Sequence, residues 1–419
     1  MVEPLLNKDA NITPTIPDIP CAAEGLDGED GLSPGEMMQF WVAAKDWLLL
    51  RGVQLYDLEP PPGWATRLWH SPVRSTLAAL PYAHCIWHEG ISSKNFQTKT
   101  PLACGQDTVG RDIMLKLVDN GSPQHRIFQT LMQHESLFTD PRTFPGVLPP
   151  IAIIDMPHKY SIVTMPWGDY PELTNMQDVR QVLTFIRCLL EGLTFLHANR
   201  IAHRDICDSN MVVSCYRLDR DHELFRNDLR ELRRRLDVRY AFMDYDQSIQ
   251  LPLGVSVKNC RRPSDEAWTG WDLYKPLDVW LGESLYNPFA FDVGTLGNLF
   301  RVHFFEAVPM VPALAALFDG MTTHVVSRRF SAEEALDFFR SNIESPSQDV
   351  LDAPVALQID YETMFHPELY WFKLAPQTQA HWSRFRAPPL PRWWHFLNWV
   401  MRFPVCARIV KLVWRIFGF

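Results

Sequence analysis

The chain of 419 residues lacks the features that mark several common classes of protein. Its eight cysteines include no C-x-x-C pair, so the sequence predicts neither a zinc site nor a disulfide framework, and a reducing compartment fits best. No uninterrupted apolar run reaches the roughly 18 residues that a membrane-spanning helix needs. The polar, proline-dotted N-terminus does not resemble a signal peptide. We therefore expect an intracellular, cytoplasmic protein.

The chain has fewer positively charged than negatively charged side chains, and one segment of it has few glycines. The chain has 40 Lys and Arg against 49 Asp and Glu, a net charge of -9, which argues against nucleic acid as a partner. Between Pro81 and Thr108, glycine occurs only at Gly90 and Gly105, so this region has no G-x-G-x-x-G loop to surround phosphates. Residues 1–32 combine seven acids with few large apolar side chains, a composition that predicts disorder.

The most informative feature present is the run His203-Arg204-Asp205, followed five positions after the Asp by Asn210. The pattern H-R-D-x-x-x-x-N is the catalytic-loop signature of protein kinases. In phosphoryl transfer the Asp accepts the proton of the attacking hydroxyl, and the Asn side-chain oxygen holds a metal ion that neutralises phosphate charge. Asp205 and Asn210 are therefore the candidate catalytic residues, and Asn210 is also a candidate metal ligand.

Further signals occur in the order that this chemistry requires. An apolar run ends in the D-Y-D sequence at residues 244 to 246, where kinases have D-F-G, and Asp244 is the second candidate metal ligand. Upstream, Lys116 ends an apolar, strand-like run, as does the lysine that binds nucleotide phosphates in kinases. Val182 to Ala198 has apolar residues at helical spacing just before the catalytic loop. Each signal alone is weak, whereas the ordered set is strong.

Two downstream segments resemble parts of the large lobe of a kinase. Tyr286 to Gly297 resembles the D-V-x-x-L-G helix start beneath the catalytic loop, and Ser327 to Phe339 resembles the closing helices. In the second segment, Arg329 matches the arginine that pairs with an acid of the activation segment. Asp278 is the nearest acid that fits this role.

Together these residues identify the chain as similar to the protein kinase superfamily. The resemblance implies an α+β, two-lobed protein-kinase-like fold with a small β-rich N-lobe and a large helical C-lobe. The predicted regions are a disordered acidic N-terminus (1–32), an N-terminal helical extension (33–80), the N-lobe (81–167), the C-lobe (168–345) with a charged insert (216–239), a linker (346–391) and a basic amphipathic tail (392–419). In the N-lobe we expect strands at 83–88, 101–107 and 112–118 and a helix at 123–133.

A narrower resemblance is to the kinase-like proteins of mushroom-forming (basidiomycete) fungi. It rests on Trp41 to Trp69, on Met165-Pro166-Trp167 after an apolar strand, and on the Y-x-P-F-x-x-D-V pattern from Tyr286 to Val293. It covers about residues 33 to 345.

The resemblance implies ATP- and Mg²⁺-dependent phosphoryl transfer to Ser or Thr of a protein substrate. Asp205 would orient the hydroxyl, and Lys116 would bind the nucleotide phosphates. Asn210 and Asp244 would hold the magnesium ion. Arg204 would hold the activation segment.

Four departures from the kinase pattern leave catalysis open. The glycine-rich loop is missing, and Gln124 stands where a kinase helix has the Glu that pairs with the strand lysine. Cys207 replaces a lysine that stabilises the transferring phosphate, and Met114 replaces a small alanine over the adenine. The alternative function is therefore a pseudokinase scaffold that binds partners or a membrane surface. A third alternative is a small-molecule phosphotransferase, which the D-Y-D sequence would suit.

Two charged regions lie outside these motifs. Arg217 to Arg239 predicts an exposed helix whose charges pair with one another at i,i+4 spacing. Residues 369–419 contain eight Lys and Arg and no Asp or Glu. In 392–419 we expect two helices separated at Pro404, each with its basic residues on one face and aromatic and aliphatic residues opposite, which predicts binding to an anionic membrane surface or to a partner helix. The competing expectation is that the tail folds back onto the kinase lobe.

Overall fold

The computed structural model describes residues 34–59, 68–70, 84–85, 102–108, 110–140, 142–157, 159–216, 222–235, 238–270, 273–281 and 284–389, together with residues 400, 403 and 409. These residues form a mixed α+β fold, with an antiparallel sheet and a larger set of helices. In the described part of the chain, no helix is long and apolar enough to cross a membrane. The acidic segment 1–32 and most of the predicted tail 392–419 lie outside the described residues.

The described residues contain both strands and helices, which are numbered here in chain order. The strands are β1 Val53–Leu55, β2 Asp57–Glu59, β3 Leu68–His70, β4 His84–Cys85, β5 Leu102–Asp107, β6 Asp112–Asp119, β7 Ala152–Asp155, β8 Tyr160–Pro166, β9 Ile201–Ala202, β10 Met211–Val213, β11 Cys215–Tyr216, β12 Tyr240–Phe242, β13 Ile249–Gln250, β14 Arg262–Pro263 and β15 Leu285–Tyr286. The helices are α1 Pro34–Leu49, α2 Pro123–Met132, α3 Val179–Ala198, α4 His222–Arg235, α5 Pro288–Phe304, α6 Ala313–Thr322, α7 Ala332–Asn342, α8 Gln348–Leu351, α9 Glu368–Trp371 and α10 Pro376–Trp382.

The main sheet has five antiparallel strands in the order β1-β5-β6-β8-β7. Strand β6 separates two environments, since successive side chains of a strand point to opposite faces. Ile113, Leu115 and Leu117 join the hydrophobic cluster that includes α1, whereas Val118 joins the cluster that includes α2. Lys116, two positions before Val118, therefore points to the α2 side of the sheet.

The predicted strands and helix of this region are largely confirmed. The segments 101–107 and 112–118 form β5 and β6, joined by a turn in which Gly110 has a φ of 77°. The segment 123–133 forms α2, which starts with Ser122 as N-cap and Pro123 as the first helical residue. Of the strand expected at 83–88, the structure describes only β4.

The segment 33–80, which was expected as a helical extension, contains α1 followed by strands β1, β2 and β3 among its described residues. Strand β1 pairs with β5 and forms the edge of the main sheet. The reason is visible in its three residues, because buried Val53 and Leu55 alternate with exposed Gln54 in the period of a strand. Helix α1 packs on the same sheet through Trp41 and Trp47, so α1 and β1 are part of the sheet region.

The larger hydrophobic cluster lies among the helices, with α3 and α5 at its centre. Asp178 caps the N-terminus of α3 by accepting a hydrogen bond from the backbone N–H of Gln181. Asn287 caps α5 in the same way, and Pro288 is its first residue. Nearly every residue of α5 is buried, so the helix is held firmly within the protein. The H-R-D segment bonds to this helix through Asp292.

The segment 346–391, which was predicted as a linker, contains α8, α9 and α10 among its described residues. Tyr370 and Trp371 of α9 are buried and donate hydrogen bonds to Asp319 of α6. The backbone N–H of Ala387 donates to the same carboxylate at 2.8 Å. The aromatic content of the segment explains this, because burying these rings outweighs the entropy lost by ordering the chain. Residues 369–389 therefore pack onto the helices through α9 and the backbone of Ala387.

The insert helix α4 also differs from the expectation of an exposed, self-paired helix. Phe225 and Leu229 are buried and, with half-buried Leu232, form one apolar stripe at i, i+4 and i+7. Arg226 pairs with Glu172 at 2.8 Å, and Arg233 is buried. Four arginines of α4 bond to residues outside the helix, because the apolar stripe docks it on the protein.

Candidate functional site

The H-R-D segment is held in place by one buried carboxylate on α5. Asp292 is fully buried and accepts hydrogen bonds from the backbone N–H groups of His203 and Arg204, both at 2.7 Å. Asp292 also contacts His197 of α3, whose Nε2 lies 3.1 Å from its carboxylate. Arg204 has a φ of 67°, a conformation that costs free energy for a residue other than glycine. The two bonds to Asp292 help to hold this strained turn.

Asp205 and Asn210 are in direct contact, as their spacing in the sequence requires. The Asn210 amide donates to the Asp205 carboxylate at 2.7 Å and to its backbone carbonyl at 2.9 Å. Because the amide nitrogen faces Asp205, the Asn210 Oδ1 atom is the side-chain acceptor that can bind a metal ion. Asp205 is half-buried.

The D-Y-D segment lies beside this loop and is bonded to it through the backbone. The N–H of Met243 donates to the carbonyl of Asn210 at 3.0 Å, and the Met243 carbonyl lies 3.0 Å from Nε2 of His203. Asp244 follows with a φ of 65°. Tyr245 is buried and packs its ring edge-on against Phe128 of α2, with centroids 5.6 Å apart. The D-Y-D segment thus links the H-R-D loop to α2.

Lys116 reaches the D-Y-D segment from the sheet. Its ammonium lies 2.9 Å from Oδ1 of Asp244 and 2.7 Å from Oδ1 of Asp246. Lys116 is only 7% exposed. Burial opposes the charge of Lys116, but the carboxylates of Asp244 and Asp246 outweigh burial and raise its pKa. Burial likewise works against the charge of Asp244, but the Lys116 ammonium outweighs it and the pKa of Asp244 is lowered. Both groups are therefore charged at neutral pH.

Asp246 is a site residue that the sequence reasoning did not select. It stands where D-F-G has glycine, and its Oδ1 accepts hydrogen bonds from both Lys116 and the amide of Gln124 on α2. The sequence did contain a signal for Asp246, because an acid stands at the position where D-F-G has glycine. The predicted Asp205, Asn210, Asp244 and Lys116 lie along one path of contacts, and Asp246 joins Gln124 to that path.

The other departures from the kinase pattern have clear local environments. Cys207 is buried, with its Sγ 3.1 Å from the Ser209 hydroxyl, and burial raises the pKa of its thiol. The thiol is therefore uncharged at neutral pH, and unlike a lysine it has no positive charge in any protonation state. Met114 is half-buried, with its sulfur 3.9 Å from that of Cys104. Gly105 lies inside β5, where an added Cβ would come 2.9 Å from the Gln54 carbonyl. Packing against β1 accounts for this glycine.

The segment from 264 to 270 passes close to Asp205. The Arg204 guanidinium donates to the backbone carbonyl of Glu266 at 2.6 Å and to the Thr269 hydroxyl at 3.1 Å. Gly270 follows with a φ of 78°, and a Cβ at this position would lie 2.5 Å from the Asp205 carboxylate. Glycine alone permits this close approach. The segment is thus held by Arg204 and lies against the candidate catalytic aspartate.

Arg329 pairs with Asp278, the nearest acid in the sequence that could take this role. The Arg329 guanidinium donates to the Asp278 carboxylate and is fully buried. It also donates to the backbone carbonyls of Thr323 and Ala290. This pair ties the segment after Gly270 to the start of α5 and to the residues before α7.

The protein offers two side-chain oxygen donors that could bind a magnesium ion. Within the described residues, no group of three or more His, Cys, Asp or Glu side chains is placed to hold a metal ion. Mg²⁺ commonly takes one or two carboxylates from the protein and completes its shell with waters and phosphate oxygens. Asp244 and the Oδ1 atom of Asn210 match that donor set.

Matches to known proteins are found among solved structures. No protein-family model matches the chain, and no curated protein matches it. Among solved structures, the fold is similar to that of a chain in the crystal structure of the yeast RNA Pol II CTD kinase CTDK-1 complex. That similarity covers 62% of this chain and 94% of the yeast chain, at 16% sequence identity and a TM-score of 0.40.

Proposed function

We propose that the protein has a two-lobed, kinase-like fold and transfers the γ-phosphoryl group of ATP to Ser or Thr hydroxyls of a protein substrate. One observation carries the proposal. A path of contacts runs from Asp205 through Asn210 and Met243 to Asp244 and Lys116. These residues come from three separate stretches of sequence, and together they are the donors, acceptors and charges that phosphoryl transfer uses.

Each residue has a role that its geometry supports. Asp205 is oriented by Asn210 and would take the proton of the attacking hydroxyl. Lys116 is charged and would bind phosphate oxygens when Asp244 turns to a metal ion. Magnesium, when bound, would neutralise the phosphate charge, and Asn210 and Asp244 would hold it. The resemblance to basidiomycete kinase-like proteins belongs to the same proposal.

We expect slow turnover. Cys207 leaves the site without the positive charge that a lysine would supply at this position. The loss of one group that stabilises the transition state costs about 10² to 10³ in rate in other enzymes. The remaining set of Asp205, Asn210, Asp244 and Lys116 is complete.

The test is a titration with ATP, with and without Mg²⁺, followed by phosphoryl transfer to a Ser/Thr peptide library. ATP should bind in the presence of Mg²⁺, and Lys116→Ala and Asp244→Asn should each weaken binding. Asp205→Asn should retain nucleotide binding and lose transfer by about 10²-fold or more, the range of a general base. Equal transfer by the wild type and Asp205→Asn would contradict the proposal.

A pseudokinase scaffold is the alternative, and the environment of Lys116 favours it. The ammonium is already bonded to two carboxylates, and the thiol of Cys207 is buried and uncharged. A scaffold of this kind would fail the ATP titration in both the presence and the absence of Mg²⁺. The same experiment therefore separates the two functions.

A further inference from the structure

Lys116 depends on a carboxylate for its position, because a buried ammonium without a partner is costly. In the kinase pattern that carboxylate comes from the helix that packs on the sheet. Here the helix is α2, and its residue at that place is Gln124, which is neutral. The amide of Gln124 bonds to Asp246.

We propose that Asp246 is the positioning residue for Lys116, and that Gln124 holds Asp246 in place. The negative charge has moved from α2 to the last residue of D-Y-D, and the helix supplies a hydrogen-bond donor instead. Asp244 is then left for the magnesium ion. This inference deepens the proposed function and rests on it for the role of Lys116 in nucleotide binding.

The geometry supports this division between the two acids. Lys116 and Gln124 donate to the same oxygen, Oδ1 of Asp246. This one carboxylate atom therefore connects α2, through Gln124, to β6, through Lys116. A bond from the Lys116 ammonium to a carboxylate is charge-assisted and stronger than one between neutral groups.

Gln124 suits this arrangement better than the usual glutamate. An ionised carboxylate has no hydrogen to donate, so a carboxylate at position 124 would repel Asp246. The amide presents an N–H group to Asp246 and leaves the negative charge of Asp246 available to Lys116. The two departures, Gln for Glu on the helix and Asp for Gly after Tyr245, therefore compensate each other.

Packing keeps this connection between α2 and β6 together. Tyr245 lies between Asp244 and Asp246 in the chain, and its buried ring contacts Phe128, one turn along α2 from Gln124. A shift of α2 would move Gln124 and Tyr245 together. The position of the helix is thereby coupled to that of Lys116.

The first test is a double-mutant cycle measured by thermal unfolding of the ligand-free full chain. Asp246→Asn should lower Tm because Lys116 loses a carboxylate. Gln124→Glu should also lower Tm, because it places a second carboxylate beside Asp246. The double variant should recover much of the loss, since the new carboxylate at position 124 faces an amide and lies near Lys116.

Matched controls carry the same chemical changes on exposed side chains. Asp349→Asn and Gln377→Glu lie at exposed positions and should leave Tm unchanged. Additive effects of the two single variants in the cycle would overturn the inference. If Asp246→Asn does not fold, Gln124→Glu alone decides, because the usual kinase pattern predicts a gain in stability where we expect a loss.

The second test measures Mg²⁺-dependent ATP binding and separates Asp246 from Asp244. Asp246→Asn should weaken binding about tenfold, the equivalent of one charge-assisted hydrogen bond, while the dependence on Mg²⁺ remains. Asp244→Asn should remove that dependence. If Asp246→Asn removes it as well, Asp246 is a metal ligand and the inference is wrong. Absence of ATP binding in the wild type would remove the proposed function, whereas the unfolding cycle would still report on the pair.

Discussion

A buried histidine on α5 shows how burial changes the pKa of a single side chain. His303 lies with its Nε2 2.9 Å from the hydroxyl of Tyr274, and both side chains are buried. Burial lowers the pKa of His303 from 6.5 to about 4, although the charge of Asp208 acts in the opposite direction. The folded protein therefore holds this imidazole neutral well below the pH at which the unfolded chain protonates it.

The sign of the pH effect follows from that difference. Above pH 6.5 both states are neutral at His303, so the full contribution to stability is present. As the pH falls from 6.5 to about 4, the unfolded state binds a proton that the folded state does not, and stability is lost. We expect a loss of about 3 kcal/mol over this window. Chemical denaturation at pH 7 and pH 4.5 should show a smaller loss for His303→Gln, which does not titrate. The same loss in both proteins would contradict this assignment.

The site residues show which interactions a sequence can predict. Asp205, Asn210, Asp244 and Lys116 were selected because each occupies a motif position with a known chemical role. Asp246 was passed over because its partners, Lys116 and Gln124, are more than a hundred residues away in the chain. A sequence motif identifies residues by their position in the motif. A residue such as Asp246, whose partners are distant in the chain, is identified only from the folded structure.

At the level of elements, long periodic segments were predicted well and short or aromatic ones poorly. Helix α3 extends three residues before the predicted start at Val182. Strand β1 has only three residues, too few for a clear period, and its place in the sheet depends on pairing with β5. The segment 346–389 has no long helix, so its folding depends on contacts with α6 that no local pattern shows.

One adjacent pair of residues tests how much that segment contributes. Trp371 is 1% exposed and its indole N–H donates to Asp319 at 3.1 Å, whereas the next residue, Phe372, is 72% exposed. We expect Trp371→Ala to lower the free energy of unfolding by about 3–5 kcal/mol, the usual cost of removing a buried aromatic ring. Phe372→Ala is the matched control and should change it by less than about 0.5 kcal/mol. Equal effects in urea denaturation would show that this segment does not pack as described.

At the scale of the whole molecule, charge is distributed unevenly along the chain. The net charge is -9, yet residues 369–419 have eight cations and no acid. The cations of residues 369–389 lie in the part that folds onto the helices. Arg386 lies over the ring of Trp371, with its guanidinium carbon 5.5 Å from the ring centroid. The five cations at 392–419 are the ones for which a membrane or a partner helix was predicted.

The prediction for 392–419 can be tested by ending the chain at Pro391, which keeps the folded residues up to 389. Each cation near an anionic bilayer contributes about 1 kcal/mol, and the contribution falls with added salt. We therefore expect the full chain to cosediment with vesicles containing phosphatidylserine and to be released at high salt. The shortened chain should stay in the supernatant, and neither protein should bind neutral phosphatidylcholine vesicles strongly. Cosedimentation of the shortened chain to the same extent would place the membrane contact elsewhere, and absence of binding by both would leave a partner helix as the ligand of the tail.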